Sequence, residues 1–373
     1  MTKLLFLIHD LGHGGAEKVL VNLVNNMDPK KFDITVMSLF GGGVNEQFLK
    51  PHIHYKTVFQ KAFPANSHIM KLLSPKQLHR LFIKEKYDVE ISYLEGPSAR
   101  IISGCEDENT KLVSWIHCTY SSAKDIAKSF RSIKESALCY NRFDRMVFVS
   151  AQARDNFTIN CPLENKTEIL YNTNETAQIL ALKDESVEET FTADNSIKLC
   201  GVGKVVSPKG FDKLARIHKR LLDDGLPVHT YILGVGGEKE NIEKYLRENN
   251  IENSFTFLGY QTNPYKYVAK CDVFVCASVS EGFSTAATEA LIVGTPVVTT
   301  PVAGMEEMLG KNGEYGIITQ MDEESLYQGI KQLVSDPEKL AAYKLKAAER
   351  GKFFSTENTV KAVEEFLTEL KED

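Results

Sequence analysis

The sequence predicts an α/β protein built on two doubly wound parallel sheets. Three observations carry that prediction. The chain has 373 residues, more than one hydrophobic core usually organises. Apolar runs of strand length alternate with segments of helical period. That alternation breaks at a polar, acidic stretch, residues 181–195, and then begins again. Alternating strands and helices give parallel sheets, because each helix carries the chain back to the edge where the last strand began. Two rounds give two domains, residues 1–180 and 196–355, with 181–195 as a linker and 356–373 as a terminal helix.

The elements follow in order. Residues 4–8, Leu-Leu-Phe-Leu-Ile, read as the first strand and run into a glycine-rich turn. From Ala16 a helix follows, with Val19, Leu20, Leu23, Val24 and Met27 at helical spacing and Asp28-Pro29 as its stop. Further strands are expected at 32–37, 89–93, 111–116 and 145–149. Residues 121–134 predict one basic amphipathic helix, with Lys124, Lys128, Arg131 and Lys134 on one side and Ile126, Phe130 and Ile133 on another. Such a helix suits an anionic membrane surface; the plainer reading is a solvated basic face. In the second round, strands are expected at 197–202, 228–233, 255–258, 272–277 and 297–299. Helices are expected from Phe211, over 285–293, and from Glu323 onwards. The 285–293 helix has a cap at each end, Ser284 before it and Gly294 then Pro296 after it.

Bulk properties narrow the function. With 43% hydrophobic and 25% charged residues, the composition is that of an ordinary soluble globular protein. No apolar run is long enough to span a bilayer, and the opening apolar run is too short for a signal peptide. The seven cysteines are odd in number with no CxxC pair, and the nine histidines show no ligand spacing. A reducing compartment is expected, with neither a disulfide framework nor a metal site. Net charge is +3 over residues 1–180 and −9 over 181–373, so the first half is the one suited to an anionic partner; nucleic acid is not expected as one.

The motif that says most is Glu281-Gly-Phe-Ser-Thr-Ala-Ala-Thr-Glu289. Glu281 falls on a strand-to-helix turn and Glu289 about one turn into the helix. In an open α/β sheet that turn faces the ligand crevice, and the helix N-terminus offers N–H groups to an anion. Carboxylates beside an anion site suit a ligand with a phosphate and many hydroxyls. The turn after strand 197–202 carries Gly203, Lys204 and Lys209, two ammonium groups placed to neutralise a diphosphate; the bland alternative is two solvated lysines. Gly12-His-Gly-Gly-Ala-Glu17 lacks the third glycine and the later acid of a nicotinamide fingerprint, so a dehydrogenase is disfavoured. His117 ends strand 111–116, where it either meets a sugar hydroxyl or packs, satisfied, near Trp115.

Together these residues resemble glycosyltransferase family 4, across almost the whole chain. Gly-Gly-Ala-Glu near the N-terminus, Gly-Lys-x4-Lys-Gly at the second domain's start and Glu-Gly-Phe-Ser-x4-Glu carry the likeness. Phe257-Leu-Gly-Tyr260 and Gly294-Thr-Pro-Val-Val298 fall at the family's positions as well. The resemblance implies the GT-B fold, two Rossmann-like domains facing each other across a cleft, with the terminal helix returning to the first. It implies that Glu281 binds donor-sugar hydroxyls, Glu289 the ribose, and Lys209 with Lys204 the diphosphate. Phe283, Ser284 and Thr285 would supply backbone contacts at the helix start. Gly203, Leu258 and Gly259 would line the donor site, Gly14 and Gly15 would lie over the donor, and His117 would meet its sugar. Two departures stand out: Lys204 replaces a frequent arginine, losing the bidentate fork, and Ser284 replaces a frequent glycine or proline.

The resemblance implies a retaining, metal-independent transferase that needs no cofactor, the nucleotide sugar being a substrate. The donor, a UDP-sugar of hexose or N-acetylhexosamine type, would react with a glycan acceptor, lipid-linked, at the cytoplasmic face of the membrane. The donor's own phosphate would take the acceptor proton, leaving the protein to position and stabilise charge. Two alternatives stay open: a non-catalytic GT-B binding subunit and a GT-B nucleotide-sugar epimerase.

Overall fold

The structure is a computed structural model and describes residues 1–63, 70–188, 191 and 196–372. The chain divides into two compact units, Met1–Asn174 with Thr356–Asp373, and Glu175–Ser355.

The first unit is a sheet of seven strands: β1 (Thr2–Ile8), β2 (Phe32–Phe40), β3 (His54–Phe59), β4 (Val89–Ser92), β5 (Lys111–Ile116), β6 (Arg145–Phe148) and β7 (Lys166–Ile169). Their order is β3-β2-β1-β4-β5-β6-β7, all parallel. Leu4 to Ile8 are wholly buried, because crossover helices cover both faces of a parallel sheet. The chain winds outward from β1 to β3, then returns to the other side of β1 as β4. The loops leaving β1 and β4 therefore diverge and open a crevice at the carboxyl ends. The helices are α1 (Gly15–Asn26), α2 (Pro75–Phe82), α3 (Pro97–Ile102), α4 (Ala123–Ile126), α5 (Ile133–Tyr140) and α6 (Ala151–Asn160). The strands missed from sequence, β3 and β7, are edge strands whose exposed and part-buried residues form no continuous apolar run.

The single basic helix expected over 121–134 does not form. One turn, α4, passes into a 3₁₀ turn (Ala127–Ser129), Phe130 is extended, and α5 begins anew. The reason is local: Ser122 Oγ accepts from Asp125 N–H and Ser132 Oγ from Glu135 N–H, so each serine starts its own helix. The apolar residues consequently share no face: Ile126 and Phe130 are buried while Ile133 is 46% exposed.

The terminal helix, Thr356–Glu372, belongs to the first unit. It buries Val360, Val363, Phe366, Leu367 and Leu370, a helical stripe. Glu364 accepts the Asp28 N–H at 2.7 Å and pairs with Lys31 at 3.0 Å, fastening it beside the end of α1.

The second unit opens with α7 (Thr176–Leu182) and holds six strands: β8 (Ile197–Val202), β9 (Val228–Leu233), β10 (Phe255–Gly259), β11 (Val273–Cys276), β12 (Val297–Thr299) and β13 (Ile317–Ile318). The order β10-β9-β8-β11-β12-β13, again parallel, reverses between β8 and β11. Its other helices are α8 (Phe211–Asp223), α9 (Lys239–Glu248), α10 (Tyr265–Val268), α11 (Thr285–Val293), α12 (Met305–Leu309), α13 (Glu323–Val334) and α14 (Pro337–Phe353).

The boundary between the units falls before residue 175, earlier than the expected 180. Of the expected linker, residues 189–190 and 192–195 lie outside the described residues. The rest is fastened to the second unit at a few points, although Ala181, Asp184, Glu185, Ser186 and Glu188 are exposed. Phe191 packs on Tyr231 at 4.4 Å, Tyr267 Oη donates to Glu188, and Asn263 Nδ2 donates to the Leu182 carbonyl. The polar composition of that stretch hid one apolar anchor. No helix among the described residues is long and apolar enough to cross a membrane.

Candidate functional site

In the second unit, the loops leaving the adjacent strands β8 and β11 are locked together. After β8 the chain passes Gly203 and Lys204, makes a 3₁₀ turn (Ser207–Lys209), and enters α8 through Gly210, left-handed at φ 67°. A Cβ on Gly210 would stand 2.2 Å from the Ala277 carbonyl oxygen, so only glycine lets the loops meet. Val279 N–H donates to the Pro208 carbonyl at 2.9 Å. The Lys209 stem crosses Gly203, where a Cβ would stand 3.4 Å from its Cε. Its Nζ ends 2.5 Å from Glu281 Oε1, and Ser278 Oγ donates to the same oxygen at 2.7 Å. The Lys209 and Glu281 side chains are only 28% and 13% exposed. Lys204 is exposed and joins none of these contacts. The structure thus brings Lys209 and Glu281 together and leaves Lys204 on the rim.

Glu289 stands about one turn, roughly 5.4 Å, along α11. Tyr265 Oη donates to its Oε1 at 3.2 Å. Sequence reasoning missed Tyr265, and only its place at the start of α10 hinted at it. Ser284 Oγ is occupied as the N-cap of α11, accepting from Ala287 N–H at 3.3 Å. The groups left for a ligand there are the backbone N–H groups at the helix start, beside the part-buried Thr285. Phe283 is buried against Phe354 at 5.7 Å. Its ring lies where a Cβ on Gly304 would come within 2.5 Å. Gly304 thereby makes room for that ring. Leu258 and Gly259 end β10 at a bulge, with Gly259 left-handed at φ 71° and its carbonyl accepting from Gly234 N–H at 2.7 Å.

In the first unit, His117 leaves β5 with its ring 4.8 Å from Tyr93 and 6.3 Å from Trp115. Burial pushes the imidazole down to about 4, against the opposing pull of Glu95 and a hydrogen bond to the Tyr93 backbone. The ring is therefore neutral near pH 7. Its Nε2 is enclosed and has no hydrogen-bond partner among the described residues. The ring packs near Trp115, but its Nε2 is left unsatisfied. Glu95 Oε2 accepts the His117 backbone N–H at 3.0 Å. Burial raises the Tyr120 hydroxyl, and nearby Glu95 adds to that rise. Glu95 and Tyr120 were missed from sequence; an acid directly after a strand was the available signal for the first. Gly14 and Gly15 lie where β1 turns into α1. Gly14 lacks a side-chain cap, and a Cβ there would fall on the Glu17 carboxylate. Asp10 Oδ1 accepts the Gly12 N–H at 2.7 Å, and Asn45 Nδ2 donates to the Gly12 carbonyl, bracing that loop.

Comparison with known proteins gives two family matches. The model for "Glycosyltransferase Family 4" matches residues 13–177, and that for "Glycosyl transferases group 1" matches residues 183–350. The chain is 30% identical over 370 residues to a Campylobacter jejuni enzyme, covering 95% of this chain and 96% of that one. That relative is the N-acetylgalactosamine-N,N'-diacetylbacillosaminyl-diphospho-undecaprenol 4-alpha-N-acetylgalactosaminyltransferase. This chain is also 23% identical to the lipopolysaccharide core biosynthesis glycosyltransferase LpsE of Rhizobium meliloti, over 91% of this chain and 89% of that one. Among solved structures, HepE of Anabaena in complex with UDP superposes with a TM-score of 0.76 at 18% identity, covering 98% of this chain and all of that one. Staphylococcus aureus TarM in complex with UDP gives 0.73 at 15%, covering both chains fully.

Proposed function

The chain belongs to glycosyltransferase family 4, and from that premise we propose the reaction it catalyses. It moves a hexose or N-acetylhexosamine from a UDP-sugar to a lipid-linked glycan, with retention and without a metal. The observation that carries this reading is the Lys209–Glu281–Ser278 cluster at the carboxyl ends of β8 and β11. Lys209 is held by a carboxylate until a stronger anion arrives. A diphosphate takes the ammonium group, and Glu281, still oriented by Ser278, turns to the hydroxyls of the sugar. The α11 N-terminus receives phosphate oxygens, and Glu289, oriented by Tyr265, takes the ribose. As the glycosidic bond breaks, negative charge gathers on the leaving diphosphate, where Lys209 stabilises it most.

UDP is supported by the HepE and TarM complexes, and a lipid-linked acceptor by the Campylobacter relative's name. That name also gives an alpha-linked product, the outcome of retention from an alpha-configured donor. In the first unit, neutral His117 has an enclosed Nε2 without a partner among the described residues, an acceptor that a sugar hydroxyl reaches once the neighbouring side chains shift. Membrane contact is part of the proposal. Leu72 is 77% exposed and its carbonyl accepts from Arg131, while part-buried Lys71 donates to the Lys128 carbonyl; Lys124, Lys128 and Lys134 are exposed, and so is Leu138 at 62%. The site lies on the cytoplasmic face.

A thermal-shift screen against UDP-, GDP- and ADP-sugars tests the donor. Stabilisation by UDP-sugars is expected, and no shift with any of them at millimolar ligand overturns the reading. EDTA is expected to leave initial transfer rates unchanged; loss restored by Mg²⁺ or Mn²⁺ would refute metal independence.

A further inference from the structure

The first unit holds a second constellation that the transfer reaction does not use. His79 stands in the last turn of α2, Glu90 inside β4, and Cys105 just beyond α3. His79 Nε2 lies 2.7 Å from Glu90 Oε2. One donor atom from each of the three residues lies within 4.8 Å of the others. Glu90 and Cys105 are 2% and 3% exposed, and the His79 side chain is 13% exposed. Glu90 is the second residue of β4; it pairs with Leu5, midway along β1, and with Leu112, next to the amino end of β5. Helix α3 starts from the carboxyl edge and runs back, so Cys105 also lies at the amino edge. The proposed reaction occupies the opposite edge.

We infer that His79, Glu90 and Cys105 form a structural binding site for a divalent metal ion of the Zn²⁺ class. An imidazole, a carboxylate and a thiolate are a mixed nitrogen, oxygen and sulfur donor set. Zn²⁺ accepts such a set, whereas Mg²⁺ and Ca²⁺ require oxygen. Tetrahedral Zn²⁺ with bonds of about 2.0–2.3 Å holds its donors roughly 3.3–3.7 Å apart. The observed spread needs only small side-chain rotations to reach that range. Carboxylate and thiolate together balance a dication, so the buried cluster becomes neutral, which a low-dielectric interior favours. Arg142 Nη2 donates to the Cys105 carbonyl at 2.7 Å, fixing the backbone of one ligand. His79, at 13% the most exposed of the three side chains, is the ligand on the solvent side, from which a water would complete a four-coordinate shell. Three separate elements supply the donors, so the sequence has no short ligand spacing to show.

Full-length protein dialysed against Zn²⁺ and then freed of excess is expected to retain an equimolar amount by elemental mass spectrometry. Replacement by Co²⁺ should give a thiolate-to-metal charge-transfer band. Cys105→Ser should abolish that band, and His79→Gln should weaken affinity by roughly 10–100-fold or more. No band in the parent protein at saturating Co²⁺ overturns the inference, whatever the variants do. So does an undiminished band in Cys105→Ser with parental circular dichroism. The readout is metal, not transfer, so its failure leaves the proposed function standing.

Discussion

In the proposed reaction, Lys209 and Glu281 form a contact within the protein that a ligand then takes over. Their separation of 2.5 Å keeps both charges compensated in a part-buried pocket, where an unpaired charge is costly. Lys209→Ala is expected to lower kcat by about 10²–10³, the usual cost of losing one charge-stabilising donor; a rate within a few-fold of the parent removes it from the mechanism. Lys209→Ala combined with Glu281→Ala should be far from additive, because each single change already disrupts the shared contact. Glu289→Ala should weaken UDP binding in calorimetry, and an unchanged affinity would contradict the ribose role. His117 gives a pH signature. Its pKa is about 4 in the folded chain against 6.5 ordinarily, so in that window the unfolded chain binds more protons. Its stability contribution is present above pH 6.5 and lost as pH falls towards 4. Tm should therefore fall across that interval, and less steeply in His117→Gln. His218, pushed down to about 4 by burial, adds a slope of the same sign.

At the scale of elements, glycines set the architecture of the site. Gly210 alone lets the Lys209 turn touch the end of β11. Gly210→Ala should cost roughly 1–3 kcal/mol from its left-handed backbone, with more from the collision at Ala277. Thermal unfolding should register that loss, and kcat should fall with it because the Lys209 turn shifts away from Glu281. Ser284→Ala removes the cap of α11 and should cost about 0.5–2 kcal/mol in chemical denaturation. The broken segment 121–134 teaches the converse. Its charge spacing suggested a continuous helix, yet two serines capping separate turns decided otherwise. Periodicity describes a face only while the helix lasts.

At the scale of the whole molecule, the chain's two ends meet in one unit. The terminal helix buries five large apolar side chains, each contributing roughly 1.5–3 kcal/mol. Their sum rivals the net stability of an entire domain, about 5–15 kcal/mol. A chain ending at Ser355 should therefore lose cooperative folding of the first unit. Calorimetry should show that transition missing or at much lower temperature; an unchanged thermogram would refute the argument.

The sequence alone determined the two rounds of parallel α/β winding, since buried parallel strands must be continuous apolar runs and helices must show their period. It also singled out the turns after β8 and β11 as the candidate site, because glycines, lysines and glutamates directly after those strands have few structural reasons to be there. Tertiary structure decided the partnerships. That Lys209, not Lys204, meets Glu281, that Tyr265 orients Glu289, and that Glu95 holds the His117 backbone all depend on loops from separate strands being brought together. The same holds for His79, Glu90 and Cys105. Local sequence encodes period and capping; the meeting of distant side chains depends on sheet order, which no short pattern records.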